Sequence, residues 1–150
     1  MVTEVGRYRE GIDPTSEPAA PDAHAVGAVV DRFYAAFEAR DLDAMSDIWA
    51  HGDDASCTHP GWATLHGWGA IAASWFGIFD QSDPMQVFTT DVRVRVDGDT
   101  AWVTLDENLL GAGSDPAGTT VAALKVLRRI DGDWKVTAHH GSVVVGHPDE

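Results

Sequence analysis

Three side chains able to carry a proton, His59, Glu107 and His140, fall at inward positions of three separate predicted strands. In the last strand Trp134, Val136, Ala138, His140, Ser142 and Val144 share a parity and form the more apolar set. In the strand from Ala101 to Leu110, Val103, Leu105 and Leu109 carry Glu107 inward with them. In a short strand from Ala55 to His59, Ala55, Cys57 and His59 share a face. A carboxylate on an apolar face needs a partner, because an unpaired buried charge is costly. A neighbouring imidazole supplies one, and the pair can relay a proton, the carboxylate orienting the ring and raising its pKa. Ser142 is a fourth polar group on the same side.

Three uses of such a cluster stay open. It can be a polar network closing the narrow part of the core. It can be a general acid–base site, with His59 and His140 moving protons and Glu107 as orienter. It can be a two-His-one-carboxylate metal site, although no HExxH or similar local motif supports one. The expectation is a site without metal or cofactor.

These groups are positioned by a helical half followed by a stranded half. Val26, Val29, Val30, Phe33 and Phe37 recur at helical spacing, with Asp22 behind Pro21 as a candidate N-cap. Asp41 can cap a second, short helix, in which Leu42, Met45, Ile48 and Trp49 share a face. The segment HPGWATLHGW at 59–68 breaks regular structure yet carries two His and two Trp. It leads into a third helix from about Trp68 to Phe79, with Ile71, Trp75, Ile78 and Phe79 on one face. Beyond Pro84 the period changes to two. Predicted strands cover 87–96, 101–110, 119–130 and 134–145, with tight turns at Asp97-Gly98-Asp99 and Asp131-Gly132-Asp133 and a loop at 111–118. Three helices and then an antiparallel meander make an α+β domain over 22–146, a single domain with an apolar cavity between helices and sheet. Residues 1–21, with three prolines, read as a flexible N-terminal arm, and 147–150 as a tail.

Composition narrows the partners. The formal net charge is −14, which argues against nucleic acid and anionic membrane surfaces. No apolar run approaches a membrane span, and the N-terminus lacks a basic-then-apolar signal pattern, so a cytoplasmic protein is expected. The single cysteine, Cys57, excludes an internal disulfide and Cys-rich zinc motifs.

The stretches RFYAAFEARDLDAMSDIWAHGDDASCTHP, LHGWGAIAASWFGIF and DGDWKVTAHHGS resemble the SnoaL-like proteins of the nuclear transport factor 2-like superfamily, which includes ketosteroid isomerases. The resemblance covers roughly residues 24–145. It implies a cystatin-like cone of strongly curved antiparallel sheet closed by helices, often a homodimer through the sheet. A pocket would open at the wide end, with 57–62 on its wall. Ketosteroid isomerase chemistry uses a carboxylate base, a Tyr and a protonated Asp. By the resemblance those positions fall on His59, Phe33 and about Val126, and Tyr34 lies about 100° off the Phe33 face, so that mechanism is rejected. The HHGS at 139–142 also resembles the HHHSS ending of iota-class carbonic anhydrases, with His140 and Ser142 as the inward pair and Ala138 and Gly141 as departures.

The reading that results is a small-molecule cavity protein. It is expected to be a cofactor-independent acid–base enzyme of lyase, hydratase or isomerase type, using His59, Glu107 and His140. Phe33, Phe37, Trp75, Leu105, Leu124 and Val126 are the expected walls for a largely apolar substrate, with Trp62 at the mouth and Ser142 as a polar contact. The alternative is a non-catalytic ligand-binding or dimerisation domain.

Overall fold

A computed structural model describes residues 20–111 and 118–146. The first nineteen residues of the expected arm, the tail at 147–150 and the middle of the 111–118 loop lie outside the described residues. The elements in chain order are α1 (Ala20–Ala39), α2 (Leu42–Ile48), β1 (Ser56–Thr58), β2 (Leu65–His66), α3 (Trp68–Gln81), β3 (Met85–Asp97), β4 (Thr100–Gly111), β5 (Thr119–Ile130) and β6 (Asp133–Val143). Among the described residues, the α+β class and three-helix arrangement match the expectation. The curved sheet differs in being mixed: its order is β2-β1-β6-β5-β4-β3, antiparallel except where β1 runs parallel to β6.

Local chemistry sets the element ends. Helix α1 begins at Ala20, two residues before the expected cap, so Asp22 lies in its first turn instead. There its carboxylate takes two hydrogen bonds from Arg129, at 2.9 and 3.0 Å. Arg129 also donates to Asp99 in the β3–β4 turn and lies 4.7 Å from the Trp134 ring centroid. One guanidinium thus ties the start of α1 to the far end of the sheet. Arg40, in the left-handed region at φ 56°, turns the chain out of α1. Asp41 then caps α2, its side chain accepting from the Ala44 N–H at 3.0 Å, as its sequence position predicts. The turn at Asp131-Gly132 has positive φ at both residues, the conformation that suits a two-residue hairpin.

The core lies between the helices and one face of the sheet. Phe33, Met45, Ile48, Trp49, Ile71 and Leu127 are almost wholly removed from water. Each such side chain contributes about 1.5–3 kcal/mol by burial alone.

Two irregularities decide which side chains the sheet turns inward. In β3 the register shifts between Thr90 and Arg93, with Asp91 at φ 53°. In β6 the register shifts so that Val126 pairs with Ala138 while Leu127 pairs with Val136, leaving Thr137 as an extra residue. A bulge of this kind reverses the facing of everything beyond it. Trp134 and Val136 face inward as alternation predicts. Past the bulge, His139 and Gly141 are buried while His140 and Ser142 are exposed. The inward placement expected for His140 and Ser142 is therefore corrected.

A second correction concerns β5. Val121, Ala123, Lys125 and Leu127 face the core, whereas Leu124 is 42% exposed and Val126 lies on the outer face with it. Hydrophobicity gives the wrong parity here, because β5 carries apolar residues on its outer face too, at Ala122, Leu124 and Val126. Phe88, Trp102 and Leu124 all leave large apolar surface on the outside. Lys125 is tolerated inside because it has partners there.

Candidate active site

The cavity forms where α1 and α3 cross the inner face of the sheet. Its volume is about 240 Å³. Phe33, Phe37 and Tyr34 of α1 and Trp75 and Ile78 of α3 supply one side, and Val87, Glu107, Leu109 and His139 of the sheet supply another. His59, Pro60 and Trp62 close it from the segment after β1. Of the expected walls, Phe33, Phe37, Trp62 and Trp75 line the cavity. Leu105 faces inward but is buried in the core rather than lining the space. Leu124 and Val126 face away.

The 59–68 segment reaches this position through two glycines. Gly67 holds φ at 84° immediately before α3, a conformation that a side chain resists. Gly141 lets Pro60 lie against β6, since a Cβ there would come within 3.0 Å of Val121 and 3.3 Å of Pro60. Trp62 is 48% exposed and sets its ring edge-on to His59, with centroids 4.9 Å apart. The ring cluster of 59–68 is thereby divided. His59 and Trp62 belong to the cavity, whereas Trp68 packs on Trp49 and stacks on His51.

Two polar systems meet the cavity. The first is a chain of hydrogen bonds. Lys125 Nζ donates to the Tyr34 hydroxyl at 2.5 Å, and that hydroxyl donates to Glu107 Oε2 at 2.5 Å. Lys125 and Glu107 also form an ion pair at 3.7 Å, and the Lys125 side chain has no exposed surface. Its ammonium lies 4.0 Å from the Phe33 ring centroid, a cation–π contact. Burial pulls the Lys125 pKa down to about 8, with Glu107 opposing the shift. Burial and the Glu107 charge push the Tyr34 phenol well above its ordinary value.

The second system is His59. Its Nε2 lies 2.9 Å from Ser74 Oγ, whose own proton goes to the Ile71 carbonyl at 2.6 Å. Burial depresses the His59 pKa to about 4 and that of the wholly buried His139 well below the usual histidine range. Both rings are neutral at pH 7. Burial also raises the Cys57 thiol to about 12, so it is no thiolate.

Two residues of this constellation escaped the sequence reading. Tyr34 lies about 100° from Phe33 around the helix, yet both side chains are buried, because the buried stripe of α1 is wide enough to take in both. Placing Leu124 and Val126 inward turns Lys125, between them in the strand, outward. Its signal was the inward carboxylate on β4, which required a counter-charge. His139 takes the inward place expected for His140. With His140 on the outer face, the His59–Glu107–His140 set does not converge. Neither the two-His-one-carboxylate geometry nor the inward His140–Ser142 pair of the carbonic anhydrase resemblance is met. Among the described residues, no group of three or more His, Cys, Asp or Glu side chains is placed to hold a metal ion. No described helix is long and apolar enough to cross a membrane.

Known proteins match across this domain. The family described as "SnoaL-like domain" matches residues 26–146. A solved structure from Streptomyces avermitilis, described as a candidate dehydratase of the nuclear transport factor 2-like family, is 38% identical. The match covers 84% of this chain and 98% of that one, with a TM-score of 0.79. A candidate calcium/calmodulin-dependent protein kinase type II association domain from Thiobacillus denitrificans is 35% identical over 79% of this chain and 94% of that one, with a TM-score of 0.73. The F-box protein SKIP8 of Arabidopsis thaliana is 29% identical over 81% of this chain, which spans about half of that protein's length.

The buried chain makes a stability prediction. Lys125→Met strands the Glu107 carboxylate and should cost about 3–5 kcal/mol in urea unfolding. Adding Glu107→Gln should restore most of that loss. A double variant no more stable than Lys125→Met would contradict the pairing.

Proposed function

The chain belongs to the SnoaL-like domain family, and we propose that it is a cofactor-independent acid–base enzyme of lyase, hydratase or isomerase type. One observation carries this reading. A mostly apolar cavity is met by a neutral imidazole, His59, and by the carboxylate end of the Lys125–Tyr34–Glu107 chain. Two proton-handling groups facing one substrate volume are what a paired proton removal and delivery requires.

In a dehydration, His59 takes the proton from the carbon next to the one bearing the hydroxyl. A proton moves along the chain, from Lys125 to Tyr34 and from Tyr34 to the Glu107 carboxylate, and the carboxyl so formed passes it to the departing hydroxyl, which leaves as water as the carbon–carbon double bond forms. The step ends with His59 protonated, Lys125 neutral and Glu107 again a carboxylate, so one proton is taken up and one given away. Hydration is the reverse, and isomerisation uses the same two groups without loss of water. His139 lines the cavity as a further neutral ring. The 38% identity to a candidate dehydratase supports this class without naming a substrate.

Native mass spectrometry of the purified chain should identify the compound it carries, and turnover of that compound is the test. His59→Gln should lower kcat by about 10²–10⁴-fold. An unchanged rate would contradict the assignment. Recovery of the compound unaltered by the wild-type chain would favour a non-catalytic binding domain.

We also propose a homodimer through the outer face of the sheet, where Phe88, Trp102 and Leu124 are 54%, 39% and 42% exposed. Sedimentation equilibrium should give twice the 16.1 kDa chain mass, and Trp102→Glu should return it to one chain. A wild-type chain that sediments singly would refute this.

A further inference from the structure

Resting on the acid–base reading, a census of the cavity's hydrogen-bonding capacity indicates what it takes in. The donors of Ser74, Tyr34 and Lys125 are spent. The Ser74 hydroxyl proton is held by the Ile71 carbonyl, the Tyr34 proton by Glu107, and Lys125 by Tyr34 and Glu107. Because Ser74 Oγ has no proton left to give, the 2.9 Å contact to His59 must be donated by His59 Nε2. That fixes the neutral ring as the Nε2–H tautomer and leaves a lone pair on Nδ1. Only the Cys57 sulfur lies near that nitrogen, at 3.9 Å, and a thiol is a weak donor. Trp75 Nε1 and His139 Nδ1 lack partners, but both atoms are sealed from solvent and out of a ligand's reach. His59 Nδ1 and the Glu107 carboxylate are therefore open acceptors, and the other polar groups a ligand meets are the second ring nitrogen of His139 and the Trp62 N–H at the mouth.

Charge and size narrow it further. Lys125 and Glu107 offset each other, and the remaining lining groups are uncharged, so an anion would meet a carboxylate with no free cation. An apolar cavity of about 150 Å³ accommodates benzene. The 240 Å³ here, walled by Phe33, Phe37 and Trp75, has room for one ring with a few substituents.

We infer that the ligand is an uncharged single-ring alcohol or phenol whose hydroxyl donates to His59 Nδ1 or Glu107. The carbonyl analogue, which can only accept, would leave both protein acceptors unpaired in a dry site.

The test titrates cyclohexanol, cyclohexanone and cyclohexanecarboxylate into the full chain at pH 7, followed by amide shifts in nuclear magnetic resonance. The alcohol should bind at least about tenfold tighter than the ketone, and the carboxylate should not bind. Ser74→Ala removes the acceptor that pins Nε2–H, so the ring can present either nitrogen and the alcohol preference should fall towards parity. A ketone that binds as well as the alcohol, a carboxylate that binds best, or no binding by any of the three overturns the inference. The wider acid–base reading fails separately, when turnover of the copurified compound is indifferent to His59→Gln. A ketone-preferring cavity with His59-dependent turnover would overturn the donor inference alone.

Discussion

A lysine ammonium without exposed surface is the constraint around which this domain is arranged. Lys125 can stay inside only because Tyr34 and Glu107 are there to receive it. Those three residues come from β5, α1 and β4, so the chain of hydrogen bonds also fixes how α1 lies across the sheet. Phe33 contributes a ring face to the ammonium, and the same ring packs against Trp49 and Trp75. The polar chain and the aromatic core are thus one packing unit. Its carboxylate end opens on the cavity, which makes a structural ion pair available to chemistry.

The cavity side of this arrangement depends on burial. His59 is enclosed by Trp62 and Trp75, with ring centroids 4.9 and 4.7 Å away. That enclosure keeps the imidazole neutral, so its free lone pair is present across the physiological range. Pro60 and Gly141 bring the strand-to-helix crossing close enough to seal the pocket, and Trp62 stands at its mouth. In the proposed reaction, the aromatic-rich loop shields the His59 base from water.

Periodicity made much of this legible. The helical spacing of Phe33, Phe37 and Trp75 was enough to put those rings at the cavity, and strand alternation placed His59 and Glu107 inside. Alternation failed at the bulge around Thr137, which no local residue type announces, so His139 and His140 exchanged places. It failed differently on β5, where AALKVL is apolar at both parities. Hydrophobicity alone then sent Lys125 outward. The missing information was long-range: a carboxylate on β4 that needed a cation, and an outer sheet face apolar enough to carry Leu124 and Val126. Tyr34 was lost because the buried stripe of α1 is wider than the Phe33 face alone, and its phenol finds Glu107 and Lys125 across the sheet.

The proposed reaction requires His59 to be a neutral, buried base with one defined tautomer beside the Lys125–Tyr34–Glu107 chain. Long-range proton–nitrogen correlation spectra of ¹⁵N-histidine-labelled protein, recorded across pH, test it most directly. The expected spectrum shows a His59 ring protonated at Nε2 and bare at Nδ1 near neutral pH, titrating near pH 4. A His59 ring that titrates at the ordinary value of about 6.5, or carries its proton on Nδ1, would contradict it.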